Sequence, residues 1–154
     1  MKDKSDRLRS KLRQCRENST MSTCALKNRQ FGAMLLHPTT FHTLLDAYNG
    51  GPMGGHNVCG GDKCLRDVNK IPSGTCLEVG CHHAEQNLIC FAARYGVPTE
   101  GRALLVTGEP CLMCAKMILS AGITTVYYVS GGYSTKAGIE YLNEHGVETE
   151  ALTA

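Results

Sequence analysis

Two short stretches carry residue types that can do chemistry together: His83-Ala84-Glu85 and Pro110-Cys111-Leu112-Met113-Cys114. Cys111 and Cys114 stand three residues apart, so on a helix they share a face. Pro110 suits a helix entry, with its fixed φ and missing N–H. Thiols near a helix N-terminus feel the positive end of the dipole, which favours the thiolate, the form that binds metal. A neutral imidazole from His83 and two thiolates make three ligands for zinc, with a fourth position open as in catalytic sites. Zinc so held lowers the pKa of its water, giving hydroxide near neutral pH. Glu85 and His83 point to different faces of a regular helix. Both can flank one site if the helix aims its N-terminal end at it. The Glu85 carboxylate can then take a proton from water and return it to a ring nitrogen and a leaving amine. The expected reaction is hydrolysis at an amidine-like ring carbon with loss of ammonia.

Other readings of these residues stand beside this one. A Cys-x-x-Cys pair serves as a redox couple or as half of a structural zinc site. A redox pair more often follows a strand in a thioredoxin-like order, and leaves His83-Ala84-Glu85 without a role. A structural site wants a fourth protein ligand nearby. A non-catalytic zinc protein that uses its fold for binding is a reading from a different class. It has no need of an acid/base carboxylate at Glu85.

These residues must be positioned by regular elements. Lys2 to Glu17 is highly charged, with Leu8, Leu12 and Cys15 at helical spacing, so a first amphipathic helix is expected. Phe31–Leu36 and Phe41–Tyr48 read as strands joined by the turn His37-Pro38-Thr39-Thr40, a hairpin. Asn49 to Gly80 reads as a long glycine-rich loop, of the kind that usually has a function or a staple. Residues 82–95 read as a helix ended by Gly96. Ala103–Thr107 is an apolar run of strand length, and residues 111–121 read as a helix stopped by Gly122. Thr124–Ser130 is β-branched and aromatic, hence a strand. Thr135–His145 reads as a last helix and Val147–Leu152 as a final strand. The order αββ-loop-αβαβα(β) points to a layered α/β domain with helices on both faces of a mixed sheet.

Composition narrows the partners. A chain of 154 residues with 42% apolar content suits one globular domain, residues 1–154, with 1–18 as its N-terminal helix. A net charge of +2 and 6% aromatic content make no case for a nucleic-acid groove or a membrane surface. No apolar run approaches a membrane span, and the charged N-terminus lacks a signal peptide's apolar stretch, so a cytoplasmic location is expected. Nine cysteines, an odd number, fit metal ligation or reduced thiols better than a disulfide framework.

His-x-Glu with Pro-Cys-x-x-Cys is the signature of zinc nucleobase deaminases. The chain resembles the cytidine and deoxycytidylate deaminase superfamily, and within it the deoxycytidylate (dCMP) deaminase branch most. The likeness runs from about Ser19 onward. It is carried by Arg29-Gln30-Phe31-Gly32-Ala33, Tyr48-Asn49-Gly50-Gly51-Pro52-Met53-Gly54, His83-Ala84-Glu85-Gln86-Asn87, Pro110 to Lys116, and Ala121-Gly122-Ile123 with Val126-Tyr127-Tyr128. The chain departs from the pattern between Cys24 and Gly32, which is longer than usual, and at Leu88, where alanine is more common. Glu109 to Cys114 is also similar to the adenosine deaminases that act on transfer RNA.

The resemblance implies a three-layer α/β/α sandwich around a mixed five-stranded sheet, and conversion of dCMP to dUMP and ammonia. It implies His83, Cys111 and Cys114 as zinc ligands, Glu85 as proton shuttle, Asn49 near the sugar hydroxyl and Tyr133 near the ring. Asn49 can also be a plain turn residue and Tyr133 a surface aromatic. A monophosphate needs cationic partners, for which Arg29, Lys116 and Lys136 are candidates. Some relatives carry a second, structural zinc, for which Cys24, Cys59, Cys64, Cys76, Cys81 and His82 are candidates here. Reduced thiols are the alternative. Several relatives respond to deoxynucleoside triphosphates through the glycine-rich turn matching Gly50–Gly55, though glycines alone do not establish regulation. A homo-oligomer, up to a hexamer, is implied as well. Transfer RNA, free nucleosides and other small heterocycles are the alternative substrates.

Overall fold

A computed structural model of the chain describes residues 3–24, 26–51, 63–75, 77, 79–131 and 135–153. In chain order these form α1 (Lys4–Ser19), a 3₁₀ turn (Lys27–Arg29), β1 (Gly32–Leu36), β2 (Thr43–Tyr48) and α2 (Leu65–Val68). There follow α3 (Ala84–Tyr95), β3 (Ala103–Val106), α4 (Leu112–Ser120), β4 (Thr125–Val129), α5 (Ala137–Glu144) and β5 (Glu148–Leu152). One sheet runs in the order β2-β1-β3-β4-β5. β1 is antiparallel to both its neighbours, and β3, β4 and β5 are parallel.

Parallel neighbours need crossover helices, and those crossovers are right-handed. Two of them in succession, moving the same way across the sheet, put α4 and α5 on one face. α3 packs there too, against β1, β2 and α4, while α1 lies on β1, β2 and β3. The strand period of two then sorts the apolar side chains into two cores. Ala33, Leu35, Leu104, Val106 and Val126 share one with Leu88 of α3 and Ile118 of α4. Met34, Leu36, Ala103, Leu105 and Tyr127 share the other with Leu8, Leu12 and Cys15 of α1. The result is the expected three-layer sandwich with a mixed five-stranded sheet. Because β1 and β3 are covered on both faces, they read as unbroken apolar runs. Burial of Leu8 or Leu12 contributes roughly 2 kcal/mol each.

The helix ends follow local chemistry. The Asp3 side chain caps α1 by accepting the Asp6 N–H at 2.8 Å. Gly96 closes α3 at φ 66°, the left-handed cap its position suggested. Two differences from the expected elements bear on the site. α3 starts at Ala84 rather than at residue 82, because His82 exchanges backbone bonds with Gly50 (2.8 and 3.0 Å) and His83 caps the helix. The long segment before it is not structureless. Its described part holds α2 and a set of turns pinned by Arg66. That guanidinium donates to the carbonyls of Val79, Pro72 and Thr75 at 3.3, 3.3 and 2.5 Å. One arginine bonding to backbone leaves no periodic pattern in a sequence, so the order was invisible there.

Candidate metal centre and its cavity

The ends of the parallel strands leave a crevice where ligands bind in open α/β sheets. From β3 the chain passes through Thr107–Pro110 to Cys111, the N-cap of α4. Its sulfur accepts the Cys114 N–H at 3.5 Å. On the neighbouring side, the Gly50–His82 bridge carries the chain from the end of β2 to the first turn of α3. There the Gln86 side chain accepts the His83 N–H at 2.7 Å, one arm of a capping box. Two helix N-termini therefore face each other across the crevice.

His83 Nδ1 lies 3.5 Å from Cys111 Sγ and 3.4 Å from Cys114 Sγ. The ligand atoms of all three residues fall within 4.8 Å of one another. Nitrogen and sulfur bound to one tetrahedral zinc, at about 2.05 and 2.3 Å, stand about 3.6 Å apart. The spacing and the donor set both fit zinc. Electrostatics agree. A hydrogen bond from Cys114, together with His83 and against the effect of burial, carries the Cys111 thiol down to about 4, so it is thiolate at neutral pH. Burial opposes charge on His83, but its hydrogen bond to Cys111 and the Glu85 and Cys111 charges hold its pKa above the ordinary value. Burial pushes the Glu85 carboxyl up, against the pull of His83.

Glu85 is 5% exposed in the first turn of α3. It lines the same cavity as His83 and Cys111, which has a volume of about 270 Å³. This is the arrangement in which two residues on different helix faces flank one site, because the helix end points at it. Asn87, from the same turn, donates to the Tyr48 carbonyl at 2.9 Å and locks α3 to the end of β2.

Residues 6–130 match the family model described as the cytidine and deoxycytidylate deaminase zinc-binding region. The chain belongs to this deaminase family. The dCMP deaminase of cyanophage S-TIM5, solved in complex with dCMP and dUMP, superposes with a TM-score of 0.75 at 31% identity, covering 98% of each chain. ComE operon protein 2 of Bacillus subtilis (strain 168) is 36% identical over 106 residues, 64% of this chain and 52% of the relative. The deoxycytidylate deaminase of enterobacteria phage T2 is 42% identical over 67 residues, 43% of this chain and 36% of the relative. The chain thus spans about half or less of the length of these curated relatives.

Other positions singled out in this deaminase-family chain fall unevenly around the cavity. Asn49 is on its wall, but its amide is largely engaged within the fold. Its oxygen accepts from Ser22 Oγ (2.7 Å) and the Phe31 N–H (2.9 Å), and its nitrogen donates to the Arg29 carbonyl (2.7 Å). Among the described residues, the second N–H of the amide makes no further hydrogen bond. Arg29 is also on the wall, paired with Asp67 at 2.7 Å, whereas Lys116 and Lys136 are not. Arg66 and Glu109, which the sequence reading did not single out as site residues, line it as well. The only signal for Glu109 was an acid directly before Pro110-Cys111. Tyr133 lies outside the described residues, as do Cys59, Cys76 and residues 52–55 of the glycine-rich turn. Cys24, Cys64 and Cys81 line the cavity and the His82 side chain is exposed. Among the described residues, metal-ligand spacing is met by His83, Cys111 and Cys114 alone. No helix among the described residues is long and apolar enough to cross a membrane.

Proposed function

We propose that the protein deaminates a pyrimidine nucleotide, converting dCMP and water to dUMP and ammonia. One observation carries this: a single cavity is lined by His83 and Cys111 of the zinc-type trio, by the buried Glu85 carboxyl and by the Arg29 guanidinium, a group of the kind that binds phosphate. The cyanophage relative bound to dCMP and dUMP, similar to the chain from end to end, supports the same substrate. His83, Cys111 and Cys114 would hold zinc, which when bound supplies Lewis acidity and a water of lowered pKa. The chain's own residues do the rest. Glu85 takes one proton from the attacking water and passes it to the ring nitrogen. It then takes the second from the hydroxyl left on the ring carbon and passes it to the departing amine, so the two protons of water account for both transfers. Burial suits it to this exchange, since a raised pKa lets one carboxyl both accept and donate. Asn49 offers its remaining N–H to the sugar, Tyr133 contacts the ring, and Arg29 exchanges Asp67 for phosphate.

The reading carries three further parts. The chain acts as one domain in the cytoplasm and as a homo-oligomer, up to a hexamer. The outer edge of β2, with Leu44 and Tyr48 exposed, is a surface for such assembly, and native mass spectrometry tests it. A second, structural zinc involves Cys24, Cys64, Cys81 or His82 together with Cys59 or Cys76. Metal analysis of fully loaded protein decides this, since one zinc per chain excludes it. The substrate is tested by ammonia release from dCMP, CMP, deoxycytidine, cytosine, a guanine compound and a transfer RNA stem-loop. dCMP is expected to be turned over best. Turnover of another compound without dCMP would overturn the substrate and leave the zinc chemistry standing.

A further inference from the structure

Glu109 is a buried carboxylate with no part in the proton transfer assigned to Glu85. It is 5% exposed, and burial of a charged group is costly unless hydrogen bonds meet it. Glu109 Oε1 accepts from Ser130 Oγ and from the Gly131 N–H, both at 3.2 Å. The sheet explains the meeting. β3 and β4 are parallel, with Val106 opposite Tyr128, so the segments leaving their carboxyl ends emerge side by side. Ser130 and Gly131 begin the β4–α5 connection. The far end of that connection is fastened to the same place. A Cβ added to Gly138 in α5 would collide with the Pro110 carbonyl oxygen and come within 2.9 Å of the Cys111 carbonyl carbon. The connection is therefore held at both ends by residues 109–111, beside the cavity that Glu109 also lines. A neutral apolar side chain could fill the same space. Only an acceptor satisfies both donors.

We propose that Glu109 is a positioning residue. Its carboxylate fixes the Ser130–Gly131 end of the β4–α5 connection against the Cys111 segment, and so sets how tightly the cavity holds its nucleotide. This inference rests on the dCMP reading for its kinetic readout. Glu109 is not among the clustered ligand residues, so its loss acts on binding rather than on the metal or the proton shuttle. Glu109→Ala is expected to raise KM for dCMP about tenfold, with kcat within about twofold. Zinc content stays at the wild-type level, and hydrogen exchange at the Gly131 amide quickens. Glu109→Gln keeps an acceptor oxygen and is expected to stay within about threefold of wild type in KM. Ser130→Ala, at an exposed residue, removes one donor and gives a smaller rise, which serves if Glu109→Ala does not fold. An unchanged KM in Glu109→Ala overturns the proposal. So does a joint fall of kcat and zinc content, or a Glu109→Gln enzyme as impaired as Glu109→Ala. If the wild-type protein is inert towards dCMP, the nucleotide reading fails. Exchange at Gly131 in Glu109→Ala then still decides whether Glu109 holds the connection.

Discussion

The two walls of the cavity are built differently. One carries His83, Glu85 and Cys111, each at the start of a helix that packs on the sheet. The other carries Arg29, Cys64 and Arg66, in or beside short irregular segments held by single side chains. Both walls contain thiols and groups able to carry positive charge. Only the first brings three ligand atoms within 4.8 Å, among the described residues. Helix starts anchored to a sheet hold side chains to the tolerance a metal requires. Segments tied by guanidinium bonds to carbonyls suit recognition of a flexible ligand, because such ties exchange at modest cost.

Breaking the first wall should have the largest effect. Cys114→Ala is expected to abolish stoichiometric zinc and turnover together, measured by metal analysis and ammonia release. Retained zinc at full occupancy would show that the trio is not the metal site. Glu85→Gln should separate the two properties, keeping zinc while turnover falls by about a thousandfold. An active variant would remove Glu85 from the mechanism. Gly138→Ala tests the support beneath Cys111. Its methyl group has no room against Pro110, so about 1–3 kcal/mol of stability should go, with a Tm lower by several degrees and weaker zinc retention. A variant as stable and as metal-loaded as wild type would mean that this contact gives way freely.

The second wall should respond otherwise. Arg66→Ala removes the side-chain donor from three carbonyls, of which Pro72 keeps the Thr75 N–H at 3.3 Å, and should cost about 1–3 kcal/mol, opening the turns at Pro72–Thr75 to proteolysis. Zinc content should not change. Loss of zinc in that variant would erase the distinction between the walls. The smallest effect is chemical. Burial drives Cys15, on the buried face of α1, to about 12, so on the order of one part in a thousand is thiolate at pH 9. Its raised pKa favours the folded state below the ordinary thiol value, and that contribution fades as pH climbs from about 9 towards about 12. Exposed Cys90 should react with a thiol reagent at pH 8 in native protein, and Cys15 only after unfolding. Equal labelling of both would place Cys15 outside the core.

Much of the fold was legible because its signals are local. Leu8, Leu12 and Cys15 at helical spacing, the apolar run Ala103–Val106, and Gly96 after α3 each report geometry within a few residues. The ligand residues were legible for the same reason, since Cys111 and Cys114 lie one helical turn apart after a proline. Where signals are non-local, the sequence was silent. Arg66 satisfies carbonyls of no particular residue type, and Asn49 uses its amide inside the fold on partners 18 to 27 residues away. Glu109 meets Ser130 and Gly131 only because β3 and β4 run parallel and adjacent.

By itself the sequence determined the donors: one imidazole, two thiolates and one carboxylate, each at a helix start, chemistry written in residue type and short spacing. The tertiary structure decided their convergence. His83 Nδ1 reaches both sulfurs across 28 and 31 residues of chain, at 3.5 and 3.4 Å. It also decided that Arg29 lines the cavity while Lys116 and Lys136 do not. Such distances depend on strand order and crossover hand, which belong to the packed sheet and not to any one segment of the chain.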